Sequence, residues 1–122
     1  HVDLVSMVES YPPAVTDADK NLESLENVDV FEGGVDAVLN ALDEQYSAVV
    51  IDPPAHGIST EAIKALTELG VERAVLIVDD PGALTKEVKK FAREGFTLQT
   101  IQPIDFAPQT WYSDAAVLFT RS

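Results

Sequence analysis

The chain has 122 residues, enough for one domain or part of one, and at 46% hydrophobic it has material for a core. It contains no cysteine, which excludes disulfides, thiolate metal sites and a cysteine nucleophile, and which fits a cytoplasmic protein. Eight basic residues face 21 acidic ones, for a net charge of −13, and such an excess disfavours direct binding of nucleic acid, whose phosphates are neutralised by Lys and Arg.

In chain order, residues 2–8 are apolar and β-branched and predict a buried strand. Tyr11-Pro12-Pro13 opens a helix, since Pro is tolerated in the first turn. Ala14, Val15, Ala18, Leu22 and Leu25 form its apolar face, and Asn27 ends it. Residues 28–31 read as a short strand broken by Gly33-Gly34, after which Val35, Val38, Leu39 and Leu42 fall at helical spacing. Residues 48–51 form a fully apolar strand stopped by Asp52-Pro53-Pro54. Ser59 or Thr60 caps a helix with Ala62, Ile63, Leu66 and Leu69 inward and Gly70 as its stop. Residues 73–78 are a strand. Pro81 begins a helix running through Leu84, Val88 and Phe91 to Gly95. Residues 97–104 and 115–121 follow with no helix between them and read as an antiparallel pair. No run approaches the ~18 apolar residues of a membrane span, and His1-Val2-Asp3 has no signal-peptide character.

Strands alternating with helices imply a mostly parallel sheet, and nearly continuous apolar strands imply cover on both faces. Ligands of such sheets bind beyond the carboxyl ends of the strands. Those ends carry Glu9, Gly33-Gly34, Asp52 and Asp79-Asp80, which are expected along one crevice. His56 has no partner at metal-ligand spacing and reads as a loop residue.

Several motifs, in order, resemble a known family. Ala14-Val15-Thr16-Asp17-Ala18-Asp19-Lys20-Asn21 with Glu26-Asn27-Val28-Asp29-Val30 resembles the second helix and third strand of class I S-adenosylmethionine-dependent methyltransferases. Val50-Ile51-Asp52-Pro53-Pro54-Ala55-His56-Gly57 is similar to the Asp-Pro-Pro-Arg-x-Gly of the RNA uracil-5 methyltransferases. Val78-Asp79-Asp80-Pro81-Gly82-Ala83-Leu84 stands where that family has Ser-Cys-Asn-Pro-x-Thr-Leu. Gln102-Pro103-Ile104-Asp105 and Pro108-Gln109-Thr110-Trp111-Tyr112-Ser113-Asp114 resemble its last motif, with Tyr112 in place of His and Asp114 in place of Glu.

The resemblance implies an α/β, Rossmann-like methyltransferase sheet, with its C-terminal antiparallel pair but without the first strand. The expected unit is therefore residues 1–122 as a partial domain, running from the second strand onward. Loss of that central strand would leave two unpaired edges, which recruit partners or self-associate. The resemblance further implies S-adenosylmethionine as cofactor. Glu9 would lie at its ribose, Gly33 and Gly34 near its adenine, and Asp52 beside it. Pro53, Pro54 and Trp111 would face the RNA base.

The family's chemistry needs a cysteine thiolate to attack the ring and a carboxylate to remove a proton. The corresponding positions are Asp79 and Asp114. A carboxylate is a poor nucleophile toward a conjugated carbon. The aligned Asp114 is one methylene shorter than Glu, and misplacement of that size can cost ~100-fold. Asp79-Asp80 also suits a turn and helix N-terminus, and Asp52-Pro53-Pro54 also suits a plain strand stop. Trp111 equally suits a cover for the sheet end. Six glycines are present without a G-x-G-x-x-G cluster, and Gly34 stands where the family has an acid. The expectation is an S-adenosylmethionine-dependent RNA (uracil-5) methyltransferase-like domain, inactive in this form. The alternatives are a non-enzymatic interaction domain on that fold and an amino-methyltransferase using Asp52-Pro53-Pro54.

Overall fold

Among the described residues, six strands and four helices alternate as the sequence predicts until the last two strands. In the computed structural model, which describes residues 4–53, 57–79, 81–104 and 114–121, the order is β1 (Val5–Glu9), α1 (Pro12–Leu22), β2 (Val28–Glu32), α2 (Val35–Ala41), β3 (Ala48–Ile51), α3 (Thr60–Glu68), β4 (Arg73–Val78), α4 (Pro81–Arg93), β5 (Thr97–Ile104) and β6 (Asp114–Thr120). The strands form two sheets, β1-β2 and β3-β4-β6-β5, which fall in the two units His1–Leu42 and Asp43–Ser122.

In the first unit β1 and β2 are parallel, registered from Val5↔Val28 to Glu9↔Glu32. Helix α1 starts with Pro12 and Pro13, whose missing N–H groups cost nothing in a first turn. It stops at Leu22, short of the expected Asn27. The Leu25 N–H closes a turn on the Leu22 carbonyl at 2.9 Å, which carries Leu25 out of the helix and leaves it 48% exposed. Of the predicted apolar face only Val15 is buried. Helix α2 buries Val38 and Leu39, while Val35 is exposed.

The second unit holds most of the core. Strand β3 pairs parallel with β4, from Ala48↔Arg73 to Ile51↔Leu76. Strand β6 inserts antiparallel between β4 and β5, with a register shift between Leu98 and Thr100. Strand alternation sends Ala74, Leu76 and Val78 of β4 and Val117 and Phe119 of β6 into the interior. Ile63 and Leu66 of α3 and Phe91 of α4 are buried too. The Phe91 ring stacks on Phe119 at 4.4 Å between centroids and meets Phe96 edge-on at 5.5 Å.

Both ends of α3 are closed as predicted. The Ser59 hydroxyl accepts from the Ala62 N–H at 3.0 Å. Gly70 then takes φ +89°, and the Val71 N–H returns to the Leu66 carbonyl at 3.1 Å. Arg121 completes that end, its guanidinium donating to the carbonyls of Thr67 and Val71 at 3.2 Å.

Two strands are less enclosed than expected. Strand β1, expected buried, has no buried residue, and Met7 is 37% exposed on it. Strand β3 is apolar throughout, yet Val50 is 73% exposed. The strand stands at the end of its sheet, and an edge strand is not enclosed as an interior one is.

Candidate functional site

In the second unit the chemistry-bearing residues gather at one end of the four-stranded sheet. Asp52 follows the last residue of β3, Asp79 follows the last residue of β4, and Asp114 is the first residue of β6. The β4–β6 ladder closes with Val78↔Ala115. Asp79 directly follows Val78 and Asp114 directly precedes Ala115, so the two carboxylates flank the last pair of the ladder. Alternation directs Asp114 away from the face that buries Val117 and Phe119. Asp52 continues the parallel pairing Ile51↔Leu76, so it stands about 7 Å short of Asp79 along the strands. Asp52 and Asp79 are exposed and Asp114 is half-buried. Among the described residues no group of three acids or histidines could hold a metal ion. The arrangement is a row of carboxylates, two exposed and one half-buried, able to accept protons or hydrogen bonds.

In the first unit Glu9 and Gly33-Gly34 meet at the end of the β1-β2 pair. The Gly33 N–H donates to the Glu9 carbonyl at 3.0 Å. The Glu9 side chain turns back, and its Oε1 accepts from the Tyr11 N–H at 3.1 Å. A Cβ at Gly33 would press on Val38 at 3.0 Å, whereas one at Gly34 would meet nothing within 4 Å. Gly34 is also the N-cap residue of α2, without a side chain to cap it.

Of the sequence-predicted residues, Pro53 is half-buried beside Asp52. Pro54 and Trp111 lie outside the described residues, as do Ala55, His56, Asp80 and Tyr112. Sequence reasoning missed Glu87 and Lys90. Glu87 is 4% exposed on α4, and its Oε1 accepts from the Lys90 ammonium at 3.1 Å. The signal was its spacing: position 87 shares the inward helical face of Leu84 and Phe91.

This sheet order, with an antiparallel strand inserted beside the last parallel one, defines a Rossmann-like methyltransferase fold. It is shared with the Pyrococcus abyssi tRNA (uracil-54, C5)-methyltransferase in complex with S-adenosyl-L-homocysteine (TM-score 0.78, 18% identity, 96% of this chain and 28% of that one). It is shared also with the magnesium protoporphyrin IX methyltransferase of Synechocystis PCC 6803 with bound SAM (TM-score 0.73, 14% identity, 98% and 60%). In sequence the chain is a homologue of curated proteins named as uncharacterized RNA methyltransferases. It is 34% identical over 108 residues to one from Lactobacillus johnsonii, covering 84% of this chain and 23% of the relative. It is 31% identical over 120 residues to one from Enterococcus faecalis, covering 94% and 26%. The chain thus spans about a quarter of the length of the relatives it matches. No family model matches it.

Proposed function

We propose that this chain is part of an S-adenosylmethionine-dependent RNA methyltransferase-like protein and that, as it stands, it does not carry out uracil-5 addition. The observation that carries this reading is Asp79 just past the end of β4, with Asp114 at the start of the neighbouring β6. Two carboxylates occupy the positions that the resemblance assigns to a thiolate and a general base. Either can take up a proton, but neither supplies the soft nucleophile that addition to the pyrimidine ring requires.

The described residues of the first unit fit part of the cofactor. Glu9 engages one carboxylate oxygen with the Tyr11 N–H, which leaves the other for ribose hydroxyls. The space beside the Gly34 Cα is open, with nothing within 4 Å of a Cβ there. When bound, S-adenosylmethionine supplies an electrophilic methyl group. Asp52 and Pro53 would present acceptor and apolar contacts to the methyl-accepting base. With a net charge of −13, the cations that hold RNA phosphates would come from elsewhere in the assembled protein.

A calorimetric titration with S-adenosylmethionine, paired with an assay for loss of the uridine C5 hydrogen from RNA, tests this. Saturable binding that Glu9→Gln weakens about 10-fold is the expected result, because a hydrogen bond to a charged group is lost. No C5 hydrogen should be released. Release would sink the inactive reading, and absence of binding would sink the cofactor role.

A second reading, a non-enzymatic interaction domain that self-associates through its sheet edge, draws on the 73% exposure of Val50 on β3.

A further inference from the structure

Glu87 is the only buried charged side chain among the described residues. It lies against the segment that follows Asp52-Pro53. A Cβ on Gly57, which adopts φ +83°, would collide with the Glu87 carboxylate. Lys90 donates to Glu87 Oε1 at 3.1 Å and to the Ile58 carbonyl at 2.9 Å. Ile58 is 6% exposed, and Ser59 next to it caps α3. The returning arm of the loop after β3 is thereby fastened to α4 through one ion pair, whose carboxylate is buried and whose lysine is half-buried.

Stability alone does not account for such a pair. Removing charges from water is costly, and replacing a buried ion pair by apolar groups is often neutral or stabilising. The Glu87 Oε2 atom is buried without a hydrogen-bond partner among the described residues, which adds to the cost. What the pair provides is geometry. It holds a glycine backbone against a fixed carboxylate and a carbonyl against a fixed ammonium.

We propose that Glu87 and Lys90 are positioning residues that set the conformation of the Gly57–Ser59 arm. The positioning does not depend on the methyl-acceptor reading above.

The experiment is amide hydrogen exchange on the 122-residue chain, with thermal unfolding measured alongside, for Glu87→Leu, Glu87→Gln, Lys90→Met and Lys90→Arg. The expected result is local. In Glu87→Leu and Lys90→Met the amides of Gly57, Ile58 and Ser59 exchange about 10-fold faster, while those of β4 and α4 keep their protection. Lys90→Arg stays close to the parent, since it keeps a cationic donor. Wild-type exchange of the arm in both Glu87→Leu and Lys90→Met would overturn the proposal. So would exchange that rises equally across the arm, α4 and β4, because that is the mark of a purely global stabiliser. If Glu87→Leu does not fold, Glu87→Gln and Lys90→Met are read by the same criterion. No ligand enters the measurement, so the methyltransferase reading stands or falls separately.

Discussion

Asp79 and Asp114 flank the last pair of the β4–β6 ladder, Val78↔Ala115, each one residue beyond it. They are 35 positions apart in sequence, and only the antiparallel insertion of β6 brings them together. The neighbourhood sets two like charges close together at the end of a sheet, which is unfavourable.

The first prediction follows from that repulsion. Asp114→Asn removes one of the two neighbouring charges and keeps the side-chain shape. Urea unfolding should show a gain of about 0.2–1 kcal/mol at low salt, the usual range for a cross-strand pair. The gain should shrink as salt is added, since the Debye length falls to about 10 Å at 0.1 M and shorter beyond. A loss of stability would mean that Asp114 has an attractive partner that outweighs Asp79.

Gly34 offers a gain-of-function test. It caps α2 with extended backbone (φ −69°, ψ 146°), a conformation open to any residue, and a Cβ there meets nothing within 4 Å. Gly34→Asp should therefore fold normally and gain a few tenths of a kcal/mol from side-chain capping. It also restores an acid where the resemblance places the adenine. Calorimetry should show tighter S-adenosylmethionine binding than the parent chain, and unchanged or weaker binding would remove Gly34 from the cofactor site.

The parts of the fold visible from sequence were those with local causes. The bounds of β3 and β4 were readable because apolar, β-branched runs end at Asp52-Pro53 and at Asp79. The bounds of α3 were readable because Ser59 and Gly70 are its cap and stop. The exposure of Val50 was not readable, because whether an apolar strand is enclosed depends on its place in the sheet. The end of α1 was misjudged because Leu25 keeps helical spacing although the chain has already turned. In the site, Glu9, Asp52 and Asp79 could be placed at strand ends by counting. The nearness of Asp79 to Asp114 could not, since a one-residue slip of β6 would shift it and turn every side chain over. Glu87 escaped notice because an acid on an inward helical face looks like a break in the pattern until its partner Lys90 is seen.

Arg121 should matter more than an exposed arginine would. Its guanidinium serves the carbonyls of Thr67 and Val71 at the end of α3, and its charge lies 5.8 Å from the Phe96 ring centroid. Its backbone N–H also bonds the Glu72 carbonyl at 2.8 Å. Arg121→Leu keeps the backbone bond but takes the donor from the Val71 carbonyl and leaves the Thr67 carbonyl with only the Gly70 N–H, and should cost about 1.5–3 kcal/mol. Arg121→Lys should recover only part, since an ammonium cannot reproduce the planar fork. A cost below half a kcal/mol in thermal unfolding would show that water serves those carbonyls equally well.

The last prediction concerns the open edge. Strand β3 ends the order β3-β4-β6-β5, its four residues are Ala, Val, Val and Ile, and it carries no charge or proline to deter pairing. Val50 is 73% exposed on it. The net charge of −13 opposes association of two copies, so the edge and the charge pull in opposite directions. Sedimentation at rising protein concentration should therefore show self-association that strengthens with salt, as screening weakens the repulsion while edge pairing persists. Val50→Lys places a charge on the edge and should abolish the association at every salt concentration, with the thermal midpoint unchanged because an exposed side chain is replaced. A parent chain that stays monomeric in high salt would show that the β3 edge is closed to a second copy, and would remove the observation on which the interaction-domain reading depends.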